Sequence, residues 1–424
     1  MKKCYRVLFV LISILNTDLS AQNLTDIDTI LFKSDSTKIL FTKFGNLNLS
    51  GYIQAQYQKA SSEGVKNFSG GDFSEYSDNR IMLRRARFKI DYLYSGDKMP
   101  IVFFALQVDA TERGVVVRDM YGQLIDHKWK KISLFMGLFA KPFGFETNLS
   151  SGSRESPERG RMNQILFPRE RDMGVMLNYH SLLNQGAWYD KIKVSVGLFN
   201  GSGLYTTSEQ DNYKDIITRI QYLQLKLSPK LSLSAAASGY LGAIRSNNEQ
   251  VYKFKNTGLS STNETSNIGK RIDRKYYGAD IQLKLKHAWG ASEIRGEFIK
   301  GVQPANKNST FTAISSSSEP VYIRPFAGAY FIFLQNIINT KHQVMIKYDI
   351  YDPNTTFGSN SSMDPSNYNL SDLRYDTWGF GYCYYMNRHC KLVIYYDWIK
   401  NEAIKAISSD LKDNILTARL HFSF

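Results

Sequence analysis

Apolar and polar residues alternate along much of the chain with a period of two. In residues 80–92 one parity is apolar and the other is charged, with Met82, Ala86, Phe88, Ile90 and Tyr92 opposed to Arg85, Arg87, Lys89 and Asp91. Arg84 breaks the pattern, because it falls on the apolar parity. Successive side chains of a strand point to opposite faces, so the pattern predicts a half-buried strand.

The same split recurs in "YYGADIQLKLK" (276–286) and "HQVMIKYDIY" (342–351). Segment 324–338 is almost wholly apolar and fits the alternation least. In all, the pattern predicts about sixteen strands, at 48–58, 80–93, 99–111, 115–126, 131–142, 172–181, 190–200, 215–227, 230–243, 275–287, 291–301, 324–338, 341–352, 374–386, 389–400 and 413–424.

The connections between these segments alternate between short and long. Tight turns alternate with polar stretches at 59–79, 143–171, 201–214, 244–273, 302–323, 353–373 and 401–412. Two links depart from this order, since 112–114 is short and 182–189 is longer than a tight turn. The order places the long loops at one end, as in outer-membrane barrels with short periplasmic turns and long extracellular loops. The sequence therefore predicts an all-β fold, a transmembrane antiparallel up-and-down β-barrel in the bacterial outer membrane.

The last segment, "NILTARLHFSF", alternates to its final residue. Leu416, Ala418, Leu420 and Phe422 are predicted to face lipid, whereas Arg419 and His421 face the lumen. A barrel has no free edge, so this strand is expected to close the ring against the first strand near residues 51–58.

The first 21 residues have the features of a secretory signal peptide. Lys2, Lys3 and Arg6 precede an apolar stretch that is too short to span a bilayer. The alternative, an anchor helix, is disfavoured because Asn16 and Asp18 end the apolar run. We therefore expect a signal peptide at 1–21, a short periplasmic lead-in at 22–47, and an outer-membrane barrel domain at 48–424.

Composition agrees with a strand-rich exported protein. The chain of 424 residues contains 27 Tyr and 25 Phe, and its formal net charge is +14. Cys383 and Cys390 are the only cysteines after the proposed signal peptide. They flank a predicted turn, and the sequence leaves open whether they pair or remain free thiols.

Signatures of catalysis are scarce in this sequence. It contains no HExxH motif, no Walker loop and no GxSxG elbow, and its six histidines are scattered. Histidine, cysteine and carboxylate residues do not cluster at the spacing of metal ligands. We expect no enzyme activity, no cofactor, no metal and no nucleic-acid partner, although a catalytic set assembled from distant residues stays open.

The polar parity collects basic residues that would face the lumen. A positively charged pore raises the local concentration of anions and offers them fixed donors. The alternative is that mixed charges pair with one another and only hold the wall together. The predicted lumen residues are Arg85, Arg87, Lys89, Lys193, Arg219, Lys284, Lys286, Arg295, Lys347 and Arg419, accompanied by acids such as Asp91, Asp109, Asp119, Asp280, Glu293, Glu297 and Asp349.

Three of these residues would form a ladder. Arg85, Arg87 and Lys89 follow one another on the same face at intervals of roughly 7 Å, as strand geometry dictates. Such a row suits a hydrated anion that passes from one cation to the next.

The stretch 143–171 is a candidate constriction loop. In sixteen-stranded porins the corresponding loop folds into the lumen, so its arginines would form a selectivity zone. Three glutamates in the same stretch, Glu155, Glu158 and Glu170, weaken this assignment. The arginines are Arg154, Arg159, Arg161, Arg169 and Arg171.

Several short motifs resemble a known family. "FAKPFGFE" (139–146), "RDMGVML" (171–177), "GLFNGSG" (197–203), "YDIYDPN" (348–354) and the closing "LTARLHFSF" together resemble phosphate-selective porins of the O and P family, especially those of Bacteroidetes-like bacteria. The resemblance implies a homotrimeric barrel of sixteen strands in outer-membrane lipid that passes small anions such as phosphate or polyphosphate. A terminal Phe424 also resembles the signal read by the barrel-assembly machinery.

Two functions from different classes are consistent with these observations. The first is an outer-membrane porin for passive diffusion of small solutes, with a preference for anions. The second is a surface binding or adhesion module whose pore is occluded by its long loops. A hydrophobic-uptake barrel or a barrel hydrolase is disfavoured, because the predicted lumen face is charged.

Overall fold

A computed structural model describes residues 46–94, 101–168, 170–181, 187–203, 209–255, 258–313, 315, 317–356, 369–403 and 409–424. The proposed signal peptide and nearly all of the lead-in lie outside the described residues, so both stay predictions. Within the described ranges, no helix is long and apolar enough to cross a membrane.

The described chain is dominated by strands. One short α-helix, α1, spans Arg161–Leu166, and single 3-10 turns lie at Trp188–Lys191, Thr265–Asn267 and Leu370–Asp372. The strands are β1 (Leu47–Ala60), β2 (Asn79–Tyr94), β3 (Ile101–Thr111), β4 (Gly114–Ile125), β5 (Ile132–Ala140), β6 (Arg171–His180), β7 (Ile192–Phe199), β8 (Asp215–Lys226), β9 (Leu231–Arg245), β10 (Gln250–Lys255), β11 (Gly258–Asn263), β12 (Arg271–His287), β13 (Gly290–Asn306), β14 (Ser309–Thr312), β15 (Val321–Asn336), β16 (His342–Asp352), β17 (Tyr375–Asn387), β18 (Cys390–Asn401) and β19 (Ile415–Ser423).

Sixteen of these strands form a closed antiparallel ring. Each ring strand pairs with the next along the chain, and β10, β11 and β14 stand outside this order. β19 pairs with β1 from Tyr52↔Ser423 to Ala60↔Ile415, which closes the ring at the predicted seam. The predicted sixteen-stranded up-and-down barrel is confirmed.

Two stretches that the sequence analysis treated as plain loops contain strands. β10 and β11 form a hairpin within 244–273, and β14 lies within 302–323. β10 also pairs in parallel with the start of β15, at Val251↔Val321. These short strands pair with one another or with the ends of the ring strands β13 and β15.

The two faces of the wall differ as predicted. On β19, Leu416, Leu420 and Phe422 are exposed on the outside, whereas Thr417 and Arg419 are buried inside. All five tryptophans of the chain are exposed. They lie at two levels: Trp129, Trp188 and Trp289 adjoin the short connections, while Trp378 and Trp398 face one another across β17 and β18 near the long loops.

β-Bulges interrupt the alternation at two arginines. The register between β1 and β2 shifts at Gln54/Ala55, so that Arg84 is an extra residue of β2. The register between β3 and β4 shifts at Gln107/Val108, so that Arg118 is an extra residue of β4. Because a bulge reverses the parity beyond it, Met82 is buried and Ile81 is exposed. The pattern in the sequence placed Met82 on the same apolar face as Ala86 and Phe88, and this placement was wrong.

Candidate functional site

The connection between β5 and β6 lies inside the barrel. We call residues 141–168 and 170 the inner loop. Its side chains are largely buried, including Phe143, Glu146, Arg154, Glu158 and Met162. It contacts the inner faces of strands on both sides of the ring, so it crosses the lumen.

One set of contacts fixes the inner loop to β1, β2 and β19, which we call the arginine side. Arg85 donates two hydrogen bonds to the carboxylate of Glu158, at 3.1 and 2.6 Å. Arg84 donates two more, at 2.9 and 3.1 Å, and Arg419 donates one at 2.7 Å. Burial alone would raise the pKa of Glu158, but attraction by Arg84, Arg85 and Arg419 holds that pKa well below its ordinary value of 4.5.

Further hydrogen bonds, including two from Lys391 of the neighbouring strand β18, complete the arginine side. The hydroxyls of Tyr52 and Ser151 lie 2.6 Å apart, and the side-chain amide of Gln54 donates to the carbonyl oxygen of Ser151 at 2.8 Å. Lys391 of β18 donates to the carbonyl oxygens of Gly152 and Arg154, each at 3.0 Å. The loop segment 151–158 is thus held by both charges and main-chain acceptors.

The other end of the inner loop packs against β9, β12 and β15, which we call the aromatic side. Phe143 and Phe167 of the loop lie 5.1 Å apart between ring centroids, and each meets Tyr276 of β12 edge-on. Tyr240 of β9 stacks on Tyr276 at 4.9 Å. These rings form an apolar core within the lumen.

Two glycines make room for this core. A Cβ atom on Gly278 of β12 would lie 3.0 Å from the ring of Phe143, and one on Gly328 of β15 would lie 2.8 Å from the sulfur of Met162. The inward side of β15 carries apolar residues because it faces this core rather than water. That position explains why its segment fitted the alternation least.

Acidic residues hold the loop backbone beside the aromatic side. Glu297 of β13 accepts a hydrogen bond from the backbone N–H of Glu146 at 3.0 Å. Asp349 of β16 accepts one from the N–H of Arg161 at 3.3 Å, and Lys347 forms an ion pair with Glu146 at 2.5 Å. Here two carboxylates and one lysine of the wall meet the loop, whereas on the arginine side guanidinium groups do.

A second carboxylate of the inner loop, that of Glu170, accepts hydrogen bonds from three arginines. Its Oε1 accepts hydrogen bonds from Arg118 of β4, from Arg159 at 3.1 Å and from Arg171 at 2.5 Å. Arg171 also donates to both oxygens of Asp119, at 3.0 and 3.2 Å. The side chains of these three arginines are 13–16% exposed, and that of Glu170 is 3% exposed.

The ten predicted lumen residues all lie on the inward parity of their strands, and ion pairs with other described residues are seen for seven of them. Lys193, Lys284 and Lys286 are less buried than most of the others and lie toward the end with short turns. The pairs are Arg85–Glu158, Arg87–Asp109, Lys89–Asp91, Arg219–Asp280, Arg295–Glu155, Lys347–Glu146 and Arg419–Glu158. The geometry therefore favours structural pairing for these seven residues, and their role in an anion pathway stays a prediction.

The predicted constriction arginines are also engaged in the fold. Arg154 donates to the carbonyl oxygens of Ser156 and Pro157. Arg161 lies over the ring of Tyr375, 3.5 Å from its centroid. Arg159 and Arg171 meet at Glu170. Arg169 lies outside the described residues.

Sequence reasoning missed the two bulge arginines and the role of the loop glutamates. Arg84 and Arg118 reach Glu158 and Glu170, the carboxylates that had seemed to weaken the assignment of the loop. A usable signal existed, because a bulge leaves a break in parity. The pair Arg84-Arg85 and the run Val115-Val116-Val117 before Arg118 are both breaks of this kind.

Other candidate chemistry is limited. Among the described residues, no group of three or more His, Cys, Asp or Glu could hold a metal ion. A cavity of about 40 Å³ between the inner loop and β16–β18 is lined by Arg161, Asp349 and Asp397, and it has room for water rather than a solute. Cys383 and Cys390 are both free thiols.

The barrel is similar in fold to solved porins. An anion-selective porin of Comamonas acidovorans matches with a TM-score of 0.55 and 10% identity, over 89% of this chain and 99% of that one. OprB of Pseudomonas putida matches with a TM-score of 0.57 and 10% identity, over 89% and 94%. OmpT of Vibrio cholerae, in a trimer form, matches with a TM-score of 0.50 and 9% identity, over 89% and 99%.

No protein-family model and no curated protein sequence matches the chain. Identities of this size show the fold alone. The barrel thus matches those of bacterial outer-membrane porins, while the resemblance to phosphate-selective porins stays a prediction.

Proposed function

We propose that the protein is a porin of the bacterial outer membrane that lets small solutes diffuse passively through its barrel. The observation that carries this proposal is a closed ring of sixteen strands with an apolar outside and a charged inside. In a membrane every backbone N–H and C=O group must be paired within the protein, and a closed barrel meets that need. The two levels of exposed tryptophan mark the two edges of the membrane.

The finer part of the proposal is a preference for anions such as phosphate. The sector around Glu170 supports it, because Arg118, Arg159 and Arg171 there outnumber the paired acids Glu170 and Asp119. The arginines in this sector also keep some contact with water. An excess of fixed cations beside a water-filled path favours anions over cations.

Three further properties belong to the same proposal. The protein acts without catalysis or cofactor, since diffusion through a pore needs neither. It assembles as a homotrimer, in line with the trimer form of Vibrio cholerae OmpT. The barrel-assembly machinery inserts it by way of the terminal strand and Phe424.

Conductance in planar lipid bilayers tests the proposal. Purified protein should produce discrete current steps, and a gradient of potassium chloride should give a reversal potential of the sign that marks chloride as the more permeant ion. A bilayer that stays sealed would refute the channel. A reversal potential of the opposite sign would refute only the preference for anions.

A second candidate function is favoured by the way the lumen is filled. The inner loop crosses the barrel. The ring of Phe68 in the first outer loop also lies 6.1 Å, between centroids, from that of Phe311 in β14, a strand that pairs with β13. A barrel covered in this way could serve as a surface module for binding or adhesion. Deleting the β10–β11 hairpin separates the two candidates, because it should abolish adhesion but leave conductance intact.

A further inference from the structure

Two of the three arginines around Glu170 are also held by other partners. Arg159 also donates to the carbonyl oxygens of Glu146, Thr147 and Leu149, at 2.8, 3.0 and 3.3 Å. Arg171 is fixed by its two hydrogen bonds to Asp119. These two guanidinium groups would therefore keep their positions if the carboxylate of Glu170 moved away.

The guanidinium group of Arg118 makes fewer hydrogen bonds than those of Arg159 and Arg171. It is positioned by the bulge in β4, and its Nε is buried without a hydrogen-bond partner. An unused donor beside a carboxylate is costly to bury, so a ligand that reached it would gain a charge-assisted hydrogen bond. The cluster thus combines two fixed guanidinium groups with one that is incompletely satisfied.

The charges of the cluster leave a positive excess. Three arginines meet two carboxylates, those of Glu170 and Asp119, while the neighbouring Arg87 is paired with Asp109. At Glu158 only Arg84 is exposed to a comparable degree, at 25% of its side chain, whereas Arg85 and Arg419 are 8% and 3% exposed. An anion in the lumen could therefore reach one arginine at Glu158 but all three at Glu170.

We propose that Arg118, Arg159 and Arg171 form a binding site for the carboxylate group of a small organic anion, and that Glu170 is an internal carboxylate which this anion displaces. Exchange of one carboxylate for another keeps the number of charge-assisted hydrogen bonds, so it costs little enthalpy. The fixed arginines also reduce the entropic cost of binding. The inference deepens the proposed function and rests on it for the entry of the ligand into the lumen.

Equilibrium dialysis of the full chain in detergent, with radiolabelled propionate as the probe, tests the site directly. The wild-type protein should retain one propionate per chain. Glu170→Gln removes the internal competitor, and its Kd should fall about tenfold, as expected for a gain of roughly one charge-assisted hydrogen bond. Equal Kd values for wild-type and Glu170→Gln would contradict displacement.

A conservative variant distinguishes binding at a site of defined geometry from attraction by positive charge alone. Arg118→Lys keeps the charge but loses the planar donor pair, so its Kd should rise about tenfold. Arg271→Lys is the matched control, because Arg271 is an exposed arginine paired with Asp273 on β12. Equal Kd values in the two variants would overturn the proposal. Arg118→Lys also decides the question if Glu170→Gln fails to fold.

Competition defines the ligand class. Unlabelled propionate should displace the probe at a lower concentration than inorganic phosphate or chloride does, and the reverse order would refute the assignment to carboxylates. The bilayer experiment separates this failure from that of the channel. Binding without conductance would refute the porin, whereas conductance without binding would refute the site.

Discussion

The two sides of the barrel hold the same loop by different physical means. On the arginine side, Arg84, Arg85 and Arg419 surround the single carboxylate of Glu158. On the aromatic side, Phe143 and Phe167 pack against Tyr240 and Tyr276. Ion pairs fix direction but cost desolvation, whereas ring packing gains free energy from burial with less directional control. The difference indicates that charge sets the position of the inner loop and packing supplies much of its stability.

Loss of the Glu158 carboxylate should lower the free energy of unfolding more than the other changes considered below. Glu158→Gln leaves four neighbouring arginines without their common partner, since Arg154 also lies 4.0 Å from that carboxylate. We expect the free energy of unfolding to fall by about 5 kcal/mol, the upper end for breaking a buried ion pair. Urea unfolding in lipid vesicles measures it. Asp273→Asn, at an exposed ion pair, should change stability by under about 1 kcal/mol.

A cavity on the aromatic side should lower the free energy of unfolding by a smaller amount. Phe143→Ala removes a fully buried ring from the core of the lumen. We expect a loss of about 3 kcal/mol in the free energy of unfolding, because the rigid barrel wall can relax only partly into the space. The loss should be the same at low and high salt. A loss larger than that of Glu158→Gln would contradict this ranking of the two variants.

Acid should weaken the arginine side through Glu158. The pKa of Glu158 is depressed in the folded protein, so its stabilising contribution is complete above the unfolded value of 4.5 and is lost as pH falls toward the folded value. The free energy of unfolding should therefore fall below pH 4.5 by up to about 1.4 kcal/mol per pH unit for this group. The difference in stability between wild-type and Glu158→Gln should shrink in the same range. A difference that stays constant to pH 3 would contradict the assignment.

The smallest effect should follow removal of one hydroxyl. Tyr276→Phe keeps the ring and its stack on Tyr240 but loses long hydrogen bonds to Gln303 and Thr312, at 3.3 and 3.4 Å. We expect a loss of about 0.5 kcal/mol, because such bonds contribute little when they are long. Thermal unfolding of both proteins in detergent measures this loss in the free energy of unfolding. A loss above about 2 kcal/mol would show that polar contacts, not ring packing, stabilise this side.

The strands could be predicted because a membrane imposes one simple rule on each of them. Side chains that face lipid must be apolar, so a period of two survives in β2, β12, β16 and β19 without knowledge of their partners. The short and long connections then set the order of the ring. β15 fitted least because its inner side faces the aromatic core instead of water.

The contacts of the candidate site could not be predicted in the same way. Arg84 reaches Glu158, and Arg118 reaches Glu170, only because bulges shift the register between neighbouring strands. A bulge depends on the pairing of two strands, which one strand's pattern does not contain. The partners of the inner loop also lie far away in sequence, as Arg295 and Glu155 do with a separation of 140 residues.

The seam between β1 and β19 has a consequence for how the protein folds. Its strands are far apart in the chain, since Gln54 and His421 lie 367 residues apart yet touch at 3.2 Å. Pairing of such distant segments is slow, because a large loss of chain entropy precedes any gain from contact. We therefore expect ring closure to come late, after β1 and β19 have spent time as two unpaired edges. During that interval the nascent sheet would be prone to pair with another chain, so its assembly calls for a helper that shields both edges.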